Sequence, residues 1–275
     1  MRRPVGRGML LAMTTAPEPD MRGWGRATPA ELERLVVVSP HLDDAVLGCG
    51  RLLALHPGST VVTVFTGRPT PPPDPPTPWD TQCGFGPDDD VLAAREAEDA
   101  AALAVLGCTP EWLGFVEYQY LPRERWIDGD AVADTLEATL RALDPTAVLV
   151  PFGLANPDHV ATHDAAMRVR ARFGDPAWFC YQDLGYHYIP GLLARAVARL
   201  FLSGVWPTPA ALPSDPDPTR RDRALACYRS QLPALEADWG LAAKLAAPAV
   251  EQYWRLAPPP AGWEHLGDPA GLGPA

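Results

Sequence analysis

The chain has 275 residues, 47% hydrophobic and 21% charged, enough apolar material for one sizeable α/β domain or two small ones and too much for a disordered chain. Lys+Arg 23 against Asp+Glu 34 leaves a net charge of −11, an unfavourable field for tracking phosphates, so nucleic acid is not an expected partner. The five cysteines (Cys49, Cys83, Cys108, Cys180, Cys227) are odd in number and form no CxxC, which argues against a disulfide framework or thiolate metal site and for a reducing, cytoplasmic compartment.

At the start, Arg2, Arg3 and Arg7 precede the apolar residues 9–13, too short a run for the core of an export signal. Met9, Met13 and Met21 are alternative starts, so residues 1–30 are expected to be a poorly ordered leader. No run reaches the length of a membrane span. Leu35-Val36-Val37-Val38 has no polar interruption and is followed by helical spacing through Val46, Leu47, Leu52, Leu53 and Leu55, which predicts a buried strand feeding a helix. Residues 60–65 repeat the strand signal, and 91–106, closed by Gly107, repeat the helix. Between them, 67–90 carries eight prolines with Trp79 and Phe85, and reads equally as a solvated loop or as the wall of an active site. Residues 131–143 are helical in pattern, 147–150 form an apolar strand, 159–173 return to helix, 220–232 and 240–247 are helical, and 252–256 is a strand. Residues 257–275, with Pro258-Pro259-Pro260, read as a tail. The alternation predicts an α/β protein with a mostly parallel sheet covered on both faces, in one domain over residues 31–256.

Ligands of such sheets bind beyond the carboxyl ends of the strands. The loop after the first strand reads Ser39-Pro40-His41-Leu42-Asp43-Asp44, and the loop after 147–150 runs from Pro151 through Asn156-Pro157-Asp158-His159, so both polar clusters belong at one end of the sheet. His41, Asp44 and His159 supply two imidazoles and a carboxylate, a set suited to zinc or Fe2+ with a fourth position left for water. Asp43, pointing elsewhere, is the natural general base for hydrolysing an amide. The duller alternative is that Asp43 and Asp44 cap the following helix, which leaves His41 unexplained. His159 and His163 are spaced as in the zincin HExxH, but Val160 stands where that motif needs glutamate. His163 is therefore expected behind the ligands or on the helix surface, and His56, His187 and His265 as structural residues.

The two motifs, with Gly48 after the first, resemble those of the LmbE/PIG-L family of metal-dependent N-deacetylases, over most of residues 35–256. Arg95-Glu96-Ala97-Glu98 with Ala101 and Leu106-Gly107, and Tyr228-Arg229-Ser230-Gln231, are similar to further segments of these enzymes. The resemblance implies a Rossmann-like three-layer fold, a zinc ion at His41, Asp44 and His159, Asp43 as base, and N-acetylglucosaminyl substrates whose hydroxyls Arg95 and Glu117 bind. The family usually has Pro at position 42 and Glu at 45, where Leu42 and Ala45 stand here, and neither is a ligand or base. It usually has His at 156, and in some members Tyr at 154. Leu154 and Asn156 leave two options for stabilising the oxyanion, Asn156 itself as a neutral donor or a group from another loop. Asp158 is expected to orient a histidine. Trp79 and Phe85 in the proline-rich stretch, with Trp112, Phe115, Tyr118 and Tyr120, would line a broad entrance for a large acceptor. With a GC-rich residue bias (one lysine, Lys244, and 33 prolines), these features point to a glycopeptide-antibiotic precursor of the teicoplanin type. The alternatives are a mycothiol-type pseudodisaccharide precursor and a non-catalytic sugar-binding module.

Overall fold

The structure, a computed structural model, describes residues 25–246 and 251–258. The leader and tail expected at 1–30 and 257–275 lie outside the described residues, apart from their inner ends. Five parallel strands, β1 (Leu35–Ser39), β2 (Thr60–Thr63), β3 (Thr109–Trp112), β4 (Ala147–Pro151) and β5 (Ala177–Tyr181), stand in the order β3-β2-β1-β4-β5. Two strands extend the sheet antiparallel past β5, first β7 (Tyr253–Ala257) and then β6 (Trp206–Ala210) at the edge. Chain direction across the sheet therefore reverses its build between β1 and β4, and a crevice opens beyond their carboxyl ends.

Period-two alternation sorts the strand residues between two helical layers. Leu35, Val37, Ala147 and Leu149 join α1 (Asp44–Leu55), α3 (Val91–Leu106) and α7 (Thr219–Leu225) in one buried cluster. Val36, Val38, Val148 and Val150 join α4 (Gly129–Leu143), α5 (Pro157–Arg172) and α6 (Leu192–Leu202) in the other. Both faces of β1 and β4 are covered, which is why their sequences are continuously apolar. The chain thus has the mixed, mostly parallel α/β sandwich that the alternation and the resemblance imply.

The elements that periodicity leaves out have local reasons. β3 (Thr-Pro-Glu-Trp) and β6 (Trp-Pro-Thr-Pro-Ala) contain prolines, tolerated because both are edge strands with one unpaired side. β5, a five-residue apolar run, is too short for its period to be told from helix. The helix predicted over 220–232 is broken into α7 and α8 (Gln231–Trp239). At the break, Tyr228 turns fully into the core and donates to Asp99 at 2.8 Å, while Ser230 N and Oγ both donate to Glu98. Helix α9 (Leu241–Leu245) follows α8, and the proline-rich stretch contains a short helix, α2 (Pro78–Gln82), capped by Thr77 Oγ1 accepting from Asp80 N.

Candidate active site

The turn from β1 into α1 is held by bonds that leave two carboxylates for other work. Ser39 Oγ accepts from Ala45 N at 3.0 Å and donates to His41 O at 2.7 Å, and Gln231 Nε2, from α8, donates to Leu42 O at 2.8 Å. Asp43 occupies the N-cap position of α1, yet its side chain makes no capping bond, so the capping alternative does not account for it. Asp44 accepts from His41 N at 3.0 Å, which closes the turn on itself. Gly48 is required where α1 crosses β5: a Cβ there would lie 2.7 Å from the ring of Tyr181, whose hydroxyl donates to Val38 O.

The turns after β1 and β4 bring His41, Asp44 and His159 together, with ligand-capable atoms within 4.8 Å of one another. Asp44 Oδ2 stands 3.3 Å from His41 Nδ1 and 3.2 Å from His159 Nε2. Two atoms bound at about 2.0–2.1 Å to a tetrahedral ion lie about 3.3 Å apart, so the spacing fits a small divalent cation. The far nitrogen of each ring meets a second acid: His41 Nε2 lies 2.9 Å from Asp158 Oδ2, and His159 Nδ1 lies 2.5 Å from Asp183 Oδ1. Such outer carboxylates fix ring orientation and make imidazole a better ligand.

Electrostatics shows the same demand for positive charge. Burial works against protonation of His159, but Asp44 and Asp183 outweigh it and raise the group to about 9. His41 is likewise pushed well above its ordinary value, against burial, by bonds to Asp158 and Asp44. Burial, then the charge of Asp44, lifts Asp43 to about 8, whereas Asp44 lies far below the usual carboxylate range because the histidines outweigh its burial.

Around this cluster lies a cleft of about 270 Å³. Asp43, Arg95, Glu117, Asn156 and Trp79 all line it. Arg95 is 2% exposed, and its guanidinium is engaged by Asp80 at 2.9 Å and Glu117 at 3.6 Å. Burial raises Glu117, which accepts from Gln119 Nε2 at 2.5 Å. Asn156 caps α5, its Oδ1 accepting from Asp158 N at 2.8 Å. His163 faces away from the cleft lining: it is buried and its Nδ1 meets Pro151 O at 2.8 Å, with burial lowering its pKa.

Three parts of the site were not expected. Asp183 follows β5, so recognising that strand would have placed the acid at the same end of the sheet as the motif loops. Tyr186, three residues after Asp183, packs edge-on against His159 with ring centroids 5.1 Å apart. The third is a face of α8, Gln231, Leu235, Asp238 and Trp239, at the i, i+4, i+7, i+8 spacing of one helix side. Gln82 of α2 donates to Asp238 at 2.8 Å, joining the proline-rich wall to this helix.

Residues 36–170 match the family described as PIG-L: GlcNAc-PI de-N-acetylase. Among solved structures, the A40926 pseudoaglycone deacetylase Dbv21 is 28% identical, with TM-score 0.65 over 83% of this chain and 99% of its own. The zinc-inhibited form of the teicoplanin deacetylase Orf2 is 25% identical, with TM-score 0.66 and the same two coverages. A deacetylase–teicoplanin complex is 26% identical, with TM-score 0.64 over 82% of this chain and 99% of its own. No curated protein matches.

Proposed function

Since the chain carries a PIG-L (LmbE) family domain and is a metal-dependent deacetylase, we propose that it removes acetate from an N-acetylglucosaminyl group on a glycopeptide pseudoaglycone. The observation that carries the reading is the convergence of His41, Asp44 and His159 at the sheet's reversal point, with Asp43 unbonded beside them. Cavities that enclose drug-sized ligands run about 300–1,000 Å³, so a cleft of about 270 Å³ suits one sugar, with its acceptor lying across the rim. Trp79 and Trp239, both lining the cleft, supply aromatic surface for that acceptor.

His41, Asp44 and His159 would hold the ion, for which zinc is the first choice and iron(II) the second. When bound it supplies Lewis acidity for the amide carbonyl and for water. Asp43 accepts a proton from the attacking water as the new C–O bond forms. It then returns that proton to the amide nitrogen as the C–N bond breaks, which releases acetate and leaves the amine on the sugar. Asp158 and Asp183 orient the two rings, while the paired Arg95 and Glu117 shape the sugar's side of the cleft. Residues 31–256 act as one domain in this reading, and the unpaired thiols favour the cytoplasm. Among the described residues no helix is long and apolar enough to cross a membrane.

The test is acetate release and loss of one acetyl mass over a panel of acetylated glycopeptide pseudoaglycones and small pseudodisaccharides. Turnover of the glycopeptides alone is expected, and turnover confined to the pseudodisaccharides would overturn the substrate assignment. Asp43→Ala should lower kcat by about 10²–10⁴ and keep the metal, whereas His41→Ala should lose both. Equal metal loss in the two variants would contradict their roles.

A further inference from the structure

An amide hydrolase must receive negative charge on the carbonyl oxygen at the moment water adds, and a pre-aimed neutral donor lowers that barrier without having to reorganise. Most polar groups of the cleft have other work. Asp43 handles the proton of the attacking water, Asp44, Glu117 and Asp238 are acids, Gln231 donates to Leu42 O, and the Arg95 guanidinium is engaged by Asp80 and Glu117. Gln119 donates to Glu117, and the neutral donors left are Asn156, Tyr118, Tyr186 and the indoles of Trp79 and Trp239, of which Tyr186 is the one whose ring meets His159.

The polarity of one hydrogen-bond chain separates them. As the cap of α5, Asn156 must turn its Oδ1 toward Asp158 N, and this fixes the amide's other end. Its Nδ2 then donates to Tyr186 Oη, at a long 3.4 Å. A phenol that accepts this bond keeps its own hydrogen uncommitted. The ring of Tyr186 is braced edge-on between His159, at 5.1 Å, and Trp239, at 5.4 Å, so a residue lining the cleft packs directly on one member of the His41/Asp44/His159 cluster, with its hydroxyl at Asn156. A phenol, with an ordinary pKa of about 10, carries its proton at neutral pH. Tyr118, by contrast, packs its ring on Trp126 and stands beside the charges of Asp158 and Glu117.

We propose that Tyr186 is a catalytic residue that donates its hydroxyl hydrogen to the developing oxyanion, and that Asn156 is the positioning residue that sets the direction of that bond. The inference rests on the deacetylase reading above and deepens it. It also gives a reason for Asn at 156: an amide held by a helix cap presents a permanent donor to the phenol, at any pH.

The experiment compares metal-loaded wild type, Tyr186→Phe, Asn156→Asp and the double variant on one acetylated substrate, with metal content measured in each. Tyr186→Phe should lower kcat by about 10²-fold with KM nearly unchanged and metal retained. Asn156→Asp keeps the cap but replaces the donor by an acceptor, so Tyr186 turns its hydrogen away from substrate and kcat falls comparably. The double variant should then be no slower than Tyr186→Phe alone. Unaltered kcat in Tyr186→Phe, or multiplying losses in the double variant, would overturn the assignment while leaving the deacetylase reading intact. A wild type that releases no acetate overturns both.

Discussion

At the scale of single residues, the site is a set of bonds that each remove one degree of freedom from a reacting group. The acid behind His159 is the plainest case. Asp183 is 1% exposed, one of its oxygens meets His159 Nδ1, and the other has no hydrogen-bond partner. Such an acid is costly to bury, and a cation held on the far side of the imidazole would compensate it. Asp183→Ala should therefore weaken metal binding by about 10–100-fold, measured by titrating metal into the stripped protein. Unchanged affinity would mean that the carboxylate serves only packing. His41, Asp43, Asp44 and His159 were legible because each lies where the chain turns from an apolar strand into the following helix. Asp183 and Tyr186 were not, since the strand before them is short and its period ambiguous.

At the scale of elements, the proline-rich stretch is a wall of the cleft, because a buried ion pair pins α2 to α3. Arg95 and Asp80 meet at 2.9 Å, 2% and 0% exposed, and Tyr120 Oη also donates to Asp80 at 3.1 Å. Asp80→Ala would leave the guanidinium without its main partner, at a cost of about 3–5 kcal/mol. The expected readout is a lower midpoint of thermal unfolding together with a higher KM, as Trp79 loses its seat on α2. A fall in stability with KM unchanged would remove α2 from substrate binding. Nothing in the proline count distinguishes this outcome from a solvated loop, because the partner residue lies on the next helix. The break between α7 and α8 has the same character. Local pattern favours one helix, and the long-range bonds of Tyr228 and Ser230 divide it.

For the whole molecule, two linkages connect the site and core to stability. Binding of a cation by the folded chain alone stabilises it by about 2.7 kcal/mol at free metal 100-fold above Kd, so chelation should lower the unfolding midpoint by about 5–10 °C. An unmoved midpoint would show that the cluster binds no ion. The second linkage runs through Asp99, buried on α3 beneath Tyr228 and Trp112. Burial raises it from an ordinary 3.8 to about 6, so the folded state holds this proton more tightly than the unfolded chain. The resulting stabilisation is complete below pH 3.8 and is lost as pH rises through 6, a change of about 3 kcal/mol. In the metal-free protein, the stability difference between wild type and Asp99→Asn should therefore fall by most of that amount from pH 4 to 7. A difference independent of pH would contradict the sign.

Two levels of information built this protein. The unbroken apolar runs of β1 and β4, buried on both faces, and the placing of histidine and aspartate just past them, were set by residue order alone, because strand composition and loop position are local properties. Which acid stands behind which histidine, which tyrosine faces the cluster and where α8 lies were settled only by folding. Those contacts join segments remote in the chain, and a hydrogen bond between them exists only once the sheet has fixed the distance.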